Sequence, residues 1–262
     1  MSRRPESRYV ANWFSQGQGE TVLLINGWSA SGIAWPTAWL DELAARYRVI
    51  RVDNRGTGWS RTAPAPFTIG DLADDARNVL KAAGVRRARV LGLSMGGMIA
   101  QELALRHPDV VSRLVLAGTR PPAPAARLGD TSLLADAMRR PAPGQSLTDY
   151  FHRMWSEFAA PGFPESHPEV MDELVRQVVR RPTPRDGVLA QVRAMGAWRG
   201  ADRLRHLDVP TTVVHGADDP LVEPVNGRII ADLVPGAALV EIDGVGHLLP
   251  HEAPEVLTKA LD

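Results

Sequence analysis

The sequence predicts an α/β fold: a mostly parallel twisted sheet flanked by helices, with a helical insertion. Three observations predict it. Short β-rich runs alternate with longer helical stretches, several of those runs are apolar almost throughout, and the alternation stops between Arg120 and Arg199. Alternation of this kind implies βαβ units and a parallel sheet. Runs such as Val22-Leu23-Leu24-Ile25 and Thr212-Val213-Val214 suit strands buried on both faces.

The elements follow in order. Residues 9–14, before Gln16-Gly17-Gln18-Gly19, read as a strand with a hairpin-like turn into Val22, which gives one antiparallel strand at the start. Further strands are expected over 22–26, 48–53, 88–93, 113–117, 211–215 and 238–243. Helices are expected over 34–46, 69–83, 95–106, 222–233 and 254–261. Asp71 or Gly70 can cap the second of these, Gly84 ends it, and Pro254 suits a first turn. Between Arg120 and Arg199, Pro121, Pro122, Pro124, Pro141, Pro143 and further prolines punctuate helix-like pieces, and no strand is expected before Thr211. The apolar pattern in 147–158 and 170–179 favours ordered helices there. We therefore expect a core of residues 1–120 and 200–262, with a helical lid at 121–199.

Composition narrows the function. Thirty basic and thirty acidic residues cancel over 262 positions, so the chain lacks the positive field that draws proteins to nucleic acid or anionic lipid. Only Lys81 and Lys259 are lysines, in stretches that read as exposed helix, which disfavours Schiff-base chemistry. The absence of cysteine excludes disulfides, thiolate nucleophiles and cysteine metal sites. No apolar run approaches the roughly 20 residues that span a bilayer. Ser2-Arg3-Arg4 is followed by no apolar signal region, so a cytoplasmic location is expected.

Chemistry concentrates where strand 88–93 meets helix 95–106. Gly92-Leu93-Ser94-Met95-Gly96 is a Gly-x-Ser-x-Gly motif in a strand-turn-helix context, the setting of a nucleophile elbow. The sharp turn projects the hydroxyl, and the Met95 N–H at the helix start points where negative charge would develop. A plain tight turn is the bland alternative, and a dinucleotide fingerprint is disfavoured because Ser94 stands where its second glycine would be.

A serine needs a base. Of the seven histidines, His247 stands in a Gly-rich loop after the last strand, where its ring can reach the carboxyl edge of the sheet. His251, after Pro250, reads as a surface residue. The orienting acid is sought in Asp218-Asp219-Pro220, otherwise ordinary turn chemistry. The chain order Ser94, Asp219, His247 matches the Ser, acid, His order of one class of serine enzymes.

With these residues in view, the chain resembles the α/β-hydrolase family from Tyr9 to its end, the lid excepted. The resemblance is carried by Gly92 to Gly97, by Asp53-Asn54-Arg55-Gly56-Thr57-Gly58-Trp59-Ser60, by Gly216-x-x-Asp219, by Gly246-His247 and by Arg106-His107-Pro108-Asp109-Val110. It implies that Ser94, Asp219 and His247 are catalytic and that the backbone N–H groups of Trp28 and Met95 form the oxyanion hole. The family commonly has His-Gly after its third strand; here it is Asn26-Gly27-Trp28, and Asn26 can brace the loop with its amide. Asp53 and Arg55 are assigned to structural hydrogen bonding.

Trp28, Met154, Trp155 and Trp198 are the candidate substrate-binding residues, each also explicable as core packing. No metal or cofactor is implied. The expectation is a serine hydrolase that cleaves a small-molecule carboxylic ester or lactone through an acyl-enzyme, without nucleic-acid or membrane partners and with its oligomeric state open. Thioesterase, carbon-carbon bond hydrolase and cofactor-free perhydrolase chemistry share these residues, and a non-hydrolytic ligand sensor is the alternative of another class.

Overall fold

A computed structural model describes residues 9–61, 65–129 and 131–262. The reading of the Ser2-Arg3-Arg4 stretch lies outside the described residues. One seven-stranded sheet runs through the molecule: β1 (Trp13–Gln16), β2 (Thr21–Ile25), β3 (Arg48–Val52), β4 (Ala88–Leu93), β5 (Val111–Ala117), β6 (Thr211–Gly216) and β7 (Ala238–Ile242), in the order β1-β3-β2-β4-β5-β6-β7. Among the described residues only the β1–β3 pairing is antiparallel. The initial strand thus does not form a hairpin with β2. β2 has β3 on one side and β4 on the other, so β1 takes the free side of β3, with Trp13 opposite Val52.

Alternation within the strands feeds two cores. Leu23, Ile25, Val90 and Leu116 join α2 (Ile69–Ala82) and α3 (Met95–Arg106) on one face. Val22, Leu24, Leu91 and Val115 join α1 (Thr37–Ala44) and α11 (Pro254–Leu261) on the other. The cap of α2 is Thr68. Its hydroxyl accepts the Asp71 N–H at 3.1 Å while the Asp71 carboxylate accepts the Thr68 N–H at 2.8 Å. Asp71 is thus the N3 partner of a reciprocal box and not the cap itself.

Between β5 and β6 the chain forms α4 (Ser132–Ala137), α5 (Leu147–Ser156), α6 (Phe163–Ser166), α7 (Pro168–Arg180) and α8 (Arg185–Ala197). After β6 come α9 (Val225–Leu233) and, beyond β7, the short α10 (Leu249–Glu252). Among the described residues no helix is long and apolar enough to cross a membrane.

Three loops meet at the carboxyl ends of the strands. Asp53, after β3, ties two of them: one oxygen accepts the Gly32 N–H at 2.7 Å, and the other accepts the Trp59 N–H and the Asn12 side-chain amide, each at 2.9 Å. Arg55 forms a buried two-point bond with Asp75 on α2, whose longer arm is 2.8 Å. Both residues are structural, as their sequence context suggested.

His251, read from sequence as a surface residue, keeps only an outer edge at the surface. Both ring nitrogens are sealed from solvent without a hydrogen-bond partner among the described residues. Burial pushes its pKa down from 6.5 to about 4, against the opposing pull of Glu173. The folded protein thus binds this proton less readily than the unfolded chain does. Stability should be intact above pH 6.5 and fall as pH drops from 6.5 toward 4, by at most ~3 kcal/mol from this residue. Urea titrations across that range should show the fall, and His251→Phe should flatten it.

Candidate active site

β4 ends in a turn that few L-residues adopt. Ser94 has φ 55° and ψ −118°, a strained conformation that costs about 1–3 kcal/mol and persists only where packing enforces it. The enforcement is visible at the flanking glycines. A Cβ on Gly92 would collide with the Gly96 carbonyl, and one on Gly96 with the Ile25 carbonyl. The backbone on either side is pinned, since the Ser94 N–H donates to the Ala117 carbonyl at 2.9 Å and the Thr119 hydroxyl to the Ser94 carbonyl at 2.6 Å. Met95 is the first residue of α3, so its N–H has no carbonyl one turn back.

The loop after β2 stands over this turn. A Cβ on Gly27 would lie 3.2 Å from the Ser94 Cβ and 3.7 Å from its hydroxyl oxygen. Asn26, at a position where the family commonly has histidine, braces the loop from inside: its side-chain oxygen accepts the Gly27 N–H at 2.8 Å and its amide donates to the Ser31 carbonyl at 3.2 Å. The loop is also held by α8 and the residues before it. The Trp28 indole donates to the Val188 carbonyl, Gln191 accepts the Ser29 N–H, and Thr183 donates to the Ser29 carbonyl.

Across the sheet, β6 and β7 deliver an acid and a histidine. The Ala217 N–H donates to Ile242 and the Asp218 N–H to Val245, so the two loops run together. Gly216 permits it, because a Cβ there would strike the Val245 and Gly246 carbonyls. Asp218 is exposed, whereas Asp219 is buried and its Oδ2 lies 2.7 Å from His247 Nδ1. The other Asp219 oxygen accepts the Leu221 and Val222 N–H groups at 2.9 and 2.8 Å. Burial opposes ionisation of Asp219, but His247 and His215 outweigh it and hold the carboxyl well below the usual range. A carboxylate only accepts, so His247 donates its Nδ1–H in this bond and its Nε2 faces away from the acid.

Gly118 joins the two halves. A Cβ there would come within 3.4 Å of both Asp219 Oδ2 and His247 Nδ1, while its neighbour Thr119 holds the Ser94 carbonyl. The structure therefore gathers Ser94, Asp219, His247, Trp28 and Met95 at one edge of the sheet. His247 bonded to the Asp219 carboxylate, the strained backbone turn at Ser94 and the helix-start N–H of Met95 thus lie at the same edge.

The other candidates are more scattered. Met154 lines a cleft of about 300 Å³ together with Ser29 and Val188. Trp155 lines a separate void of about 20 Å³ beside Asn26, Leu93 and His251, and packs edge-to-face on Phe158, which faces the His247 ring. Trp198 lines neither space. Its indole donates to buried Glu102 on α3, which also pairs with Arg203, so it anchors the end of α8. Among the described residues no group of three or more histidines and carboxylates is arranged to hold a metal.

One residue escaped sequence reasoning. Glu252 accepts the N–H groups of Gly246 at 2.8 Å and Ala160 at 2.9 Å on one oxygen and of Leu248 at 2.8 Å on the other. It grips both neighbours of His247, and the His247 N–H itself donates to the Phe158 carbonyl at 2.9 Å. Burial raises the Glu252 pKa, while its backbone donors favour the charge. Its partners are main-chain amides, which leave no side-chain pattern in the sequence.

Comparison with known proteins identifies the family. The family model for the alpha/beta hydrolase fold matches residues 20–254. Rhodomycin D methylesterase DauP of Streptomyces is 30% identical over 306 aligned positions, covering 100% of this chain and 97% of its own. RutD, a proposed carbamate hydrolase of Azorhizobium caulinodans, is 30% identical, with 94% of this chain and 91% of its own covered. Among solved structures, a thermophilic esterase of Thermogutta terrifontis superposes with TM-score 0.78 at 29% identity, covering 95% of this chain and 90% of its own. The chain belongs to the α/β-hydrolase family and is an enzyme of that family.

Proposed function

We propose that the protein is a serine hydrolase of small-molecule carboxylic esters or lactones. The observation that carries this reading is the buried 2.7 Å bond between His247 and Asp219 beside the strained Ser94 turn. In this mechanism the His247 Nε2 lone pair takes the Ser94 proton as the hydroxyl oxygen attacks the carbonyl carbon. The Met95 and Trp28 N–H groups stabilise the oxyanion, Asp219 stabilises the imidazolium, and His247 returns the proton to the leaving alcohol. Water, deprotonated by His247, then releases the acid from the acyl-enzyme. A methylesterase and a thermophilic esterase among the relatives support ester chemistry. The helices of residues 121–199 act as the lid, fastened to the Trp28 loop through Val188 and Gln191.

Turnover of chromogenic esters, lactones and thioesters tests the reaction class, and their absence would leave a sensor. A fluorophosphonate should add one label on the Ser94 peptide, detected by mass spectrometry, and none in Ser94→Ala. Asp219→Asn should reduce kcat by about 10⁴-fold with the fold retained, by analogy with serine proteases. Asp218→Asn should keep most activity, and the reverse outcome would exchange their roles.

Glu252 is a positioning residue in this reading. Glu252→Gln replaces one acceptor oxygen by an NH₂ group, so at least one of its three main-chain donors loses its partner. We expect kcat to fall by up to about 10²-fold with KM little changed. The fluorophosphonate labelling rate should fall in step, which a loss confined to stability would not produce.

A further inference from the structure

The cleft of about 300 Å³ has a charge pattern that the hydrolytic reading leaves unused. Its walls are mainly apolar, including Phe151 and Met154, and they also include Ser29 and Val188. Ser29 adjoins Trp28, and the Val188 carbonyl takes the Trp28 indole N–H, so the cleft borders the loop that stands over Ser94. Among the described residues the lining carries Arg139, Arg140 and Arg185 and no acidic residue, although Arg139 pairs with Asp136 beside it. In a chain of zero formal charge this leaves an excess of positive charge there.

Several polar groups of the lining are already engaged within the protein. The Thr183 hydroxyl donates to the Ser29 carbonyl, and the Tyr150 hydroxyl lies 2.9 Å from the Ala137 and Arg139 carbonyls. Arg185 donates to the Met138 carbonyl at 2.9 Å, and Arg139 pairs with Asp136 at 3.0 Å. Arg140 has no partner among the described residues. A pocket with apolar walls and a guanidinium mouth fits a ligand with an apolar arm and an anionic end, because the guanidinium fork matches a carboxylate.

We propose that the substrate is an ester whose non-reacting arm ends in a carboxylate, the arm lying along the cleft and the carboxylate meeting Arg140 and Arg139. The proposal rests on the assignment of Ser94 as nucleophile, but its test separates the two. The 4-nitrophenyl half-esters of adipic to suberic acid are compared with the same esters ending in a neutral carboxamide. Because the arginines are exposed, we expect a preference in kcat/KM of about five-fold for the carboxylate at the best-fitting length, the upper range for a screened ion pair. The preference should shrink toward one in high salt. In Arg140→Glu the ratio should drop to one or below, with Arg139→Gln/Arg140→Gln as the charge-neutral check. The half-ester is also titrated calorimetrically into Ser94→Ala protein, where binding should weaken with salt and with Arg140→Glu. Turnover of both series with no carboxylate preference at any length would overturn the cleft proposal while leaving the hydrolase reading intact. Salt-sensitive binding without turnover would do the opposite. A preference that survives in both arginine variants would place the anion elsewhere and also overturn the proposal.

Discussion

Close backbone packing at the carboxyl edge of the sheet is the constraint on which the rest depends. Gly92 lies against the Gly96 carbonyl, Gly96 against Ile25, and Gly216 against Val245 and Gly246, at separations that leave no volume for a methyl group. Main-chain contact of this kind fixes Ser94 in its unusual torsion and keeps the Asp219 and His247 loops side by side. Side-chain chemistry then adds direction. The Asp219 carboxylate shares its oxygens between two main-chain amides and the His247 ring, so the acid and the histidine are oriented by one group.

The helical excursion between β5 and β6 is coupled to this edge at two places. One is the Trp28 loop, where Val188, Gln191 and Thr183 replace solvent as partners of residues 28 and 29. The other is the histidine loop, which bonds to Phe158 and shares Glu252 with Ala160. At the site end these attachments use the main chain of Ser29, Gly246 and His247 and the Trp28 indole. The position of the excursion therefore bears on the geometry of the Trp28 and His247 loops.

What could be read from the sequence follows from how local each constraint is. The Ser94 turn was legible because its glycines answer to clashes within a few residues, and Asp219 stood out from Asp218 by its spacing from Gly216. The positions of β2, β4, β5 and β6 were legible because their residues are mostly buried on both faces and the runs are apolar. The pairing of β1 was not: Gly17 and Gly19 turn the chain as a hairpin would, but β2 already has a neighbour on each side. His251 was misread as a surface residue because part of what encloses it comes from α5 and α7, and Glu252 went unnoticed because its partners are backbone amides, one of them Ala160 far along the chain. The tryptophans show the same limit. Trp28 and Trp198 are alike in sequence character, yet one indole bonds to Val188 beside the site and the other to Glu102 on α3.

The bond from the His247 amide to the Phe158 carbonyl bears on how such a chain diversifies. A segment between two core strands is a natural unit for exchange between relatives, since its ends lie close together on one scaffold. Here residues 158 to 160 are part of the seating of the imidazole, through Phe158 to His247 and through Ala160 to Glu252. A transplanted excursion that did not restore a carbonyl and an amide at those two points would arrive with a displaced histidine, whatever its own stability. The stretch before α5, which gives Met138, Arg139, Arg140 and Pro141 to the cleft, makes neither of these two contacts.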